Sequence, residues 1–349
     1  MVIEIGHAPD NERPHHDEPL ELVRFSGLQP GPKLIVLGAI HGNEPCGPEA
    51  ILRAIDACRA GCLSIRRGEV TFVPVANLRA YRRRSREGNR NLNRDLRERV
   101  VPQDYEDRIG NRICALLREH DVLLDIHSFE AHGEPFVFAG PPDNQGPVEP
   151  FRQAQEEGDF AARLGPSLVV HGWLDAYRRF LEERHRAGFP AGPLSEGVGT
   201  TEYIRFTGGY GVTIECGSHD DPASSDIGYQ AIARALAYLG LIDAAKPPIG
   251  MTNAIQLVDS YVCEAEEDRL ARQWRTGAAV AAGEVIVRRA SGSADAAPCA
   301  GFLIFPNHDA KPGDQLCYFA NLTASQRERY AYYGRAARTS LELSDKVHD

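Results

Sequence analysis

Two histidines and two glutamates stand at places in this 349-residue sequence where open α/β sheets carry their chemistry. His41 and Glu44, separated by Gly42 and Asn43, directly follow the apolar run KLIVLGAI at 33–40. An imidazole and a carboxylate three positions apart across such a turn can face one cation, and two histidines, a glutamate and water form an established catalytic zinc set. His127 offers the second imidazole because it ends the run VLLDI at 122–126. Glu215, near the end of a later run at 212–216, adds a second carboxylate. The four together predict a hydrolytic metal centre holding one Zn2+ per chain through His41, Glu44 and His127. The plainer reading, in which the histidines only cap strand ends, is weaker for the set than for any one of them.

The elements that must position these residues are legible from periodicity. Short β-branched runs at 33–40, 70–75, 122–126 and 212–216 read as buried strands. Apolar residues at helical spacing predict helices over 45–59, 104–119 and 227–241, the first opening on a proline suited to a first turn. Strands alternating with helices imply an α/β layer structure with a largely parallel sheet. The segment 140–210 mixes loop sequence with helical stretches near 151–164 and 174–187, and reads as an insertion or lid beside the site.

Pro247-Pro248-Ile249-Gly250 looks like a linker, after which the helix-strand alternation stops. Two domains are expected: a catalytic one over 1–248, and a small β-barrel-like domain with a C-terminal tail over 249–349. The latter contains an internal echo, GAAVAAGEVIV around Gly283 and HDAKPGDQLCYF around Gly313, each reading as loop, turn glycine and strand. The pair resembles the half-motifs of a biotinyl/lipoyl-like barrel, but Lys311 is not in the Met-Lys-Met hairpin that carries a cofactor, so no swinging arm is expected.

A net charge of -10 argues against non-specific nucleic-acid binding, since phosphate backbones attract basic surfaces. No run approaches the roughly 18 apolar residues of a membrane span, and the N-terminus lacks the pattern of a secretory signal. A cytoplasmic protein with a small-molecule partner is expected; its oligomeric state is not readable. Eight cysteines without a C-x-x-C pair indicate reduced thiols rather than a thiolate metal site. Cys216, beside Glu215, is a poor candidate nucleophile, with only His219 in reach to activate it.

GAIHGNEP at 38–45, NLNRDL at 91–96, LLDIHS at 123–128 and YGVTIECG at 210–217 together resemble the zinc carboxypeptidase-like group that includes succinylglutamate desuccinylase and aspartoacylase. Order and approximate spacing agree over residues 33–245. The resemblance implies a mixed sheet flanked by helices with a small C-terminal β domain, His41, Glu44 and His127 as zinc ligands, and Glu215 as the base acting on water. It also gives roles to arginines. Nine fall between Arg79 and Arg99, most of them expected on a solvated loop. By likeness Asn93 and Arg94 clamp a substrate carboxylate, Arg86 polarises the scissile carbonyl, and Arg205 is a further substrate-binding residue. A guanidinium fork suits carboxylates.

One position departs from the family pattern. Asn91 stands where an aspartate usually orients a zinc-ligand histidine, so either the metal site is weakened or Asp125 takes over. The expected activity is hydrolysis of a small N-acyl amino acid or a related amide bearing a carboxylate. Two alternatives stay open: a metallocarboxypeptidase acting on peptides, and an inactive metal-binding or scaffold protein of the same fold. A C-terminal domain that narrows the cleft, as in the desuccinylase-like group, favours small substrates.

Overall fold

Alternating apolar runs build one large sheet in the computed structural model, which describes residues 2–7, 20–141, 151–250 and 253–322. Strands β1 (Val2–His7), β2 (Glu21–Ser26) and β3 (Gln29–Gly38) are followed by α1 (Cys46–Arg59), β4 (Arg67–Val73), α2 (Leu78–Arg83), α3 (Tyr105–Glu119) and β5 (Val122–Phe129). Next come β6 (Phe136–Phe138), α4 (Ala154–Ala161), β7 (Leu168–His171), α5 (Trp173–Arg186), α6 (Thr200–Phe206), β8 (Tyr210–Ser218) and α7 (Ala223–Tyr238). The segment 140–210 thus supplies α4, β7, α5 and α6; its residues 142–150 lie outside the described ones.

Side chains that alternate along each strand sort to opposite faces of this sheet. Leu34 and Val36 of β3, with Val122, Leu124 and Ile126 of β5, join a core under α1, α4 and α7. Ile35, Leu37 and Leu123 join a second core under α3 and α6. Each such Leu or Ile, fully buried, contributes about 1.5–3 kcal/mol. Helix α3 starts where its sequence dictates: Asp104 caps it, the side chain accepting from the Asp107 N–H at 2.7 Å.

The middle of the sheet, β4-β3-β5-β8, is parallel, while its flanks pair mostly antiparallel. This parity decides where the chemistry goes. Val212, Ile214 and Cys216 of β8 face the α1/α7 core, so Glu215 must face the other way. Leu123 sets the same direction for Asp125 and His127 on β5, and register places His127 beside Glu215.

Beyond the Pro-Pro stretch the regular elements among the described residues are all strands: β9 (Asn253–Val262), β10 (Arg269–Leu270), β11 (Ala278–Val280), β12 (Val285–Arg288), β13 (Ala294–Ala296), β14 (Gly301–Ile304) and β15 (Gln315–Leu322). Four of these continue the large sheet in the order β9-β15-β14-β11, joined to it by parallel pairing of β9 with β7. Strands β10, β12 and β13 form a separate small sheet, and Trp274, Ile286, Leu303 and Phe319 pack in a core local to this region. The C-terminal tail expected after it, 323–349, lies outside the described residues. Both echo glycines hold positive φ, 77° at Gly283 and 92° at Gly313, and each opens a strand, β12 and β15. Among the described residues no helix is long and apolar enough to cross a membrane.

Candidate active site

The turn that carries His41 and Glu44 is wedged between the end of β3 and helix α2. A side chain could not be tolerated at Gly42, where an added Cβ would fall 2.0 Å from the Ala80 carbonyl carbon. Asn77 fixes α2 in that place, accepting from the Ala80 N–H at 3.0 Å and donating to Glu106 at 3.1 Å. Ala39, just before the turn, takes the left-handed φ of 46°, uncommon for a residue with a Cβ, and so bends the chain out of the strand.

His41, Glu44 and His127 are all buried, and each presents one ligand atom within 4.8 Å of the others. The geometry identifies those atoms. His41 Nδ1 lies 2.8 Å from Glu44 Oε1 and His127 Nδ1 lies 2.9 Å from Glu44 Oε2, so both δ nitrogens converge on one carboxylate. Both ε nitrogens face outward to oxygen acceptors: His41 Nε2 to Asn91 Oδ1 at 3.1 Å, and His127 Nε2 to Asp125 Oδ2 at 3.0 Å, off the line of a good hydrogen bond. An acceptor on the far nitrogen is what orients and sharpens a metal-binding imidazole. The donor set, its spacing and its outer acceptors therefore fit a small divalent cation.

Electrostatics separate the two rings. Burial, helped by the Arg86 charge, lowers His41 to about 4 and leaves it neutral. Burial would lower His127 too, but the Asp125 and Glu44 carboxylates outweigh it and hold its pKa well above the usual value. Glu44 is held well below the ordinary carboxylate range, against its burial, by the two imidazoles. Glu215 is the opposite case: burial drives its pKa well up, and its Oε2 has no hydrogen-bond partner among the described residues. A carboxyl in that state is suited to take and return a proton.

Above these groups opens a cavity of about 530 Å³. His41, Glu44, His127, Glu215, Arg86, Asn93, Arg94 and Arg205 all border it, so the structure brings together the expected ligands, base and substrate-binding residues, whereas Asp125 and Cys216 do not line it. Their situations differ. Arg86 lies 3.4 Å from Glu44 Oε1 and is half exposed. Asn93 accepts from the Thr200 N–H at 2.9 Å. Arg94 donates to the Asn93 carbonyl at 2.7 Å and lies over the rings of Trp173 and Tyr177, 4.8 and 5.5 Å from their centres, with no carboxylate partner among the described residues. Burial and the nearby Arg86 charge lower its pKa. Arg205 is enclosed by Glu157, at 2.8 and 3.1 Å, and Glu202, at 3.1 Å.

Of the other arginines between 79 and 99, Arg90 and Arg99 are not simply solvated: both pair with Asp107, Arg90 also with Asp104 and Arg99 also with Asp95. Cys216 is fully buried, and hydrogen bonding with the Cys46 thiol together with burial pushes its pKa well up, which disfavours a thiolate. His219 is engaged elsewhere, Nδ1 lying 2.8 Å from Ser128 Oγ. The aromatic lining residues Phe138, Trp173, Tyr177, Phe305 and Tyr318 were not foreseen. They are spread over 180 positions of sequence and share no spacing that marks them as one wall.

Comparison with known proteins gives the chain its family. Residues 30–227, more than half of the chain, match the family model of the succinylglutamate desuccinylase/aspartoacylase catalytic domain. No curated protein matches the chain. Among solved structures, the product-bound ectoine utilization protein EutE (DoeB) of Ruegeria pomeroyi is similar at 21% identity and a TM-score of 0.67, covering 92% of this chain and 94% of its own. A succinylglutamatedesuccinylase/aspartoacylase of Rhodobacter sphaeroides gives 17% identity and a TM-score of 0.66, with 92% and 96% covered. A succinylglutamate desuccinylase of Silicibacter sp. TM1040 gives 21% and 0.65, with 88% and 89% covered. At these identities the likeness establishes the fold, and the family-model match carries the assignment: the chain belongs to the succinylglutamate desuccinylase/aspartoacylase family.

Proposed function

We propose that this protein is a zinc-dependent amidohydrolase that deacylates a small N-acyl amino acid or a related linear amide bearing a carboxylate. The observation that carries the reading is the convergence of His41 Nδ1 and His127 Nδ1 on Glu44, with Glu215 next to His127 in register and facing the same cavity. Zinc held by His41, Glu44 and His127 would supply a Lewis acid and an acidified water. Glu215 takes a proton from the attacking water and returns it to the leaving nitrogen. Its raised pKa favours the second half of that cycle. Arg86, beside Glu44, stabilises charge developing on the carbonyl oxygen. Arg94, with Asn93, holds the substrate carboxylate, an anion matched to a guanidinium that has no carboxylate of its own.

Arg205 contributes to substrate binding only indirectly on this reading, because Glu157 and Glu202 already neutralise it; it holds the wall formed by α6. The C-terminal residues Phe305, Asn307 and Tyr318 border the cavity and restrict it, which favours a small substrate over a peptide. A cytoplasmic location suits a chain whose eight cysteines are all free thiols.

The zinc-loaded protein should hydrolyse N-acyl amino acids and leave blocked dipeptides intact. Glu215→Gln should retain bound zinc and lose about 10²- to 10⁴-fold in kcat. Zinc content by elemental analysis, measured with His41→Ala alongside, separates loss of metal from loss of the base. Full turnover in Glu215→Gln would remove Glu215 from the mechanism. Hydrolysis of blocked dipeptides in preference to acyl amino acids would replace the deacylase reading with the carboxypeptidase one.

A further inference from the structure

A continuous aromatic wall runs from the C-terminal region to Arg94. Phe305 lies 5.7 Å from Phe138, Phe138 5.9 Å from Trp173, and Trp173 5.6 Å from Tyr177 and 5.8 Å from Tyr318, all centre to centre. The Arg94 guanidinium closes the series over Trp173. All of these residues border the cavity, and Phe138, Trp173 and Phe305 keep part of their surface open. Two features mark the wall as more than packing. Phe305 is held at a φ of 51°, a left-handed conformation in which a bulky residue is a genuine outlier, and such strain concentrates at ligand sites. Arg94 is a desolvated cation with no carboxylate partner among the described residues, set at one end of an apolar surface.

We infer that the carboxylate-bearing half of the substrate carries an aromatic side chain, laid along Phe138, Trp173 and Phe305 with its carboxylate on Arg94. The inference rests on the deacylase reading and names the substrate class within it. Broad aromatic faces match planar apolar groups in offset or edge-to-face contact. A side-chain carboxylate in the same place would be desolvated against the electron-rich faces of those rings and repelled by Glu87, Glu130 and Asp314, which also line the cavity. A side-chain ammonium is disfavoured by Arg94, which already sits over Trp173 and Tyr177. Arg184, a further arginine of the lining, spends Nε on the Pro190 carbonyl at 2.7 Å.

The test uses the full-length zinc-loaded protein in two measurements. In the first, kcat/KM is compared for N-acetyl-L-phenylalanine and N-acetyl-L-tyrosine against N-acetyl-L-aspartate and N-succinyl-L-glutamate. A preference of at least about tenfold for the aromatic substrates is expected. Phe305→Gly, which removes the ring and suits the positive φ, should shrink that preference by about tenfold, chiefly through KM. In the second, thermal unfolding is followed with free L-phenylalanine or L-aspartate, and only the former should raise the midpoint. Equal or better turnover of the aspartate or glutamate substrate overturns the inference and leaves the deacylase reading intact. No turnover of any substrate, with stabilisation by phenylalanine alone, overturns the deacylase reading and retains the ligand class. No turnover and no selective stabilisation overturns both.

Discussion

Arg205 and Arg94 border the same cavity, and their surroundings are opposite. On α6, Arg205 donates to both oxygens of Glu157, to one oxygen of Glu202 and to the Gly211 carbonyl. On the loop before α3, Arg94 has two aromatic rings and one backbone carbonyl, with Glu202 acting on it only from beyond ion-pair distance. A guanidinium whose charge is already matched holds the wall together, while one left unmatched in a desolvated place is held ready for an anion. Burial alone does not separate the two roles; the count of carboxylates within reach does. Glu157 extends the contrast, since it also accepts from the Gly140 and Gly211 N–H groups, at 2.6 and 3.0 Å, and so ties α4, α6 and β8 at one point.

The contrast is broken most forcefully at the matched arginine. Arg205→Met leaves Glu157 buried without its cation and should cost about 3–5 kcal/mol of stability. In a chain of this size the unfolding midpoint should fall by about 4–7 °C, measured by calorimetry. Adding Glu157→Gln should recover part of that loss, because it removes the stranded charge. If Arg205→Met unfolds at the wild-type temperature and instead raises KM, Arg205 belongs with the substrate, as Arg94 does, and not with the wall.

The unmatched arginine should respond in the other currency. Arg94→Met removes a charge-assisted contact worth about 1.5–3 kcal/mol, so KM for a carboxylate-bearing substrate should rise by about 10- to 100-fold. Stability should change by less than about 1 kcal/mol, since no buried charge is left without its partner. A substrate amide of the same shape, lacking the carboxylate charge, should bind the wild type and Arg94→Met alike. A large loss of stability in Arg94→Met would assign it the structural role of Arg205.

His41, Glu44 and His127, which could hold a metal ion, and the arginines of the cavity were legible in the sequence, but the different surroundings of the arginines were not, and the reason is physical. His41, Glu44 and His127 are marked locally, by strand ends and a turn in which only glycine fits, and strand parity carries Glu215 to the same face. The environment of an arginine is set at a distance: Glu157 is 48 residues from Arg205, and Trp173 is 79 from Arg94. Neither pairing leaves a periodic trace. The same limit hid the contribution of Phe305, which enters the cavity from the far end of the sheet through a strained turn. The alternation of strands and helices was legible because it is local. The sheet's continuation through β9, by contrast, depends on pairing with β7 over 80 residues away.

The outer acceptors of the two imidazoles give the same comparison on a smaller scale: a neutral amide on His41 and a carboxylate on His127. Asn91→Asp should tighten zinc binding by about tenfold, and Asp125→Asn should weaken it by about 10- to 100-fold, read by competition with a chelator. The pH dependence fixes the sign. Because Asp125 and Glu44 outweigh burial and hold the His127 pKa well above its ordinary value, that ring keeps its second proton to higher pH than a free imidazole, and the metal must displace it. Affinity should therefore climb about tenfold per pH unit until the raised pKa is passed, and level off above it. Asp125→Asn takes away one of the two carboxylates that raise it, so the plateau should begin at lower pH. An unchanged plateau would mean that Glu44 alone sets the His127 proton, and that the asymmetry between Asn91 and Asp125 is without effect on the metal.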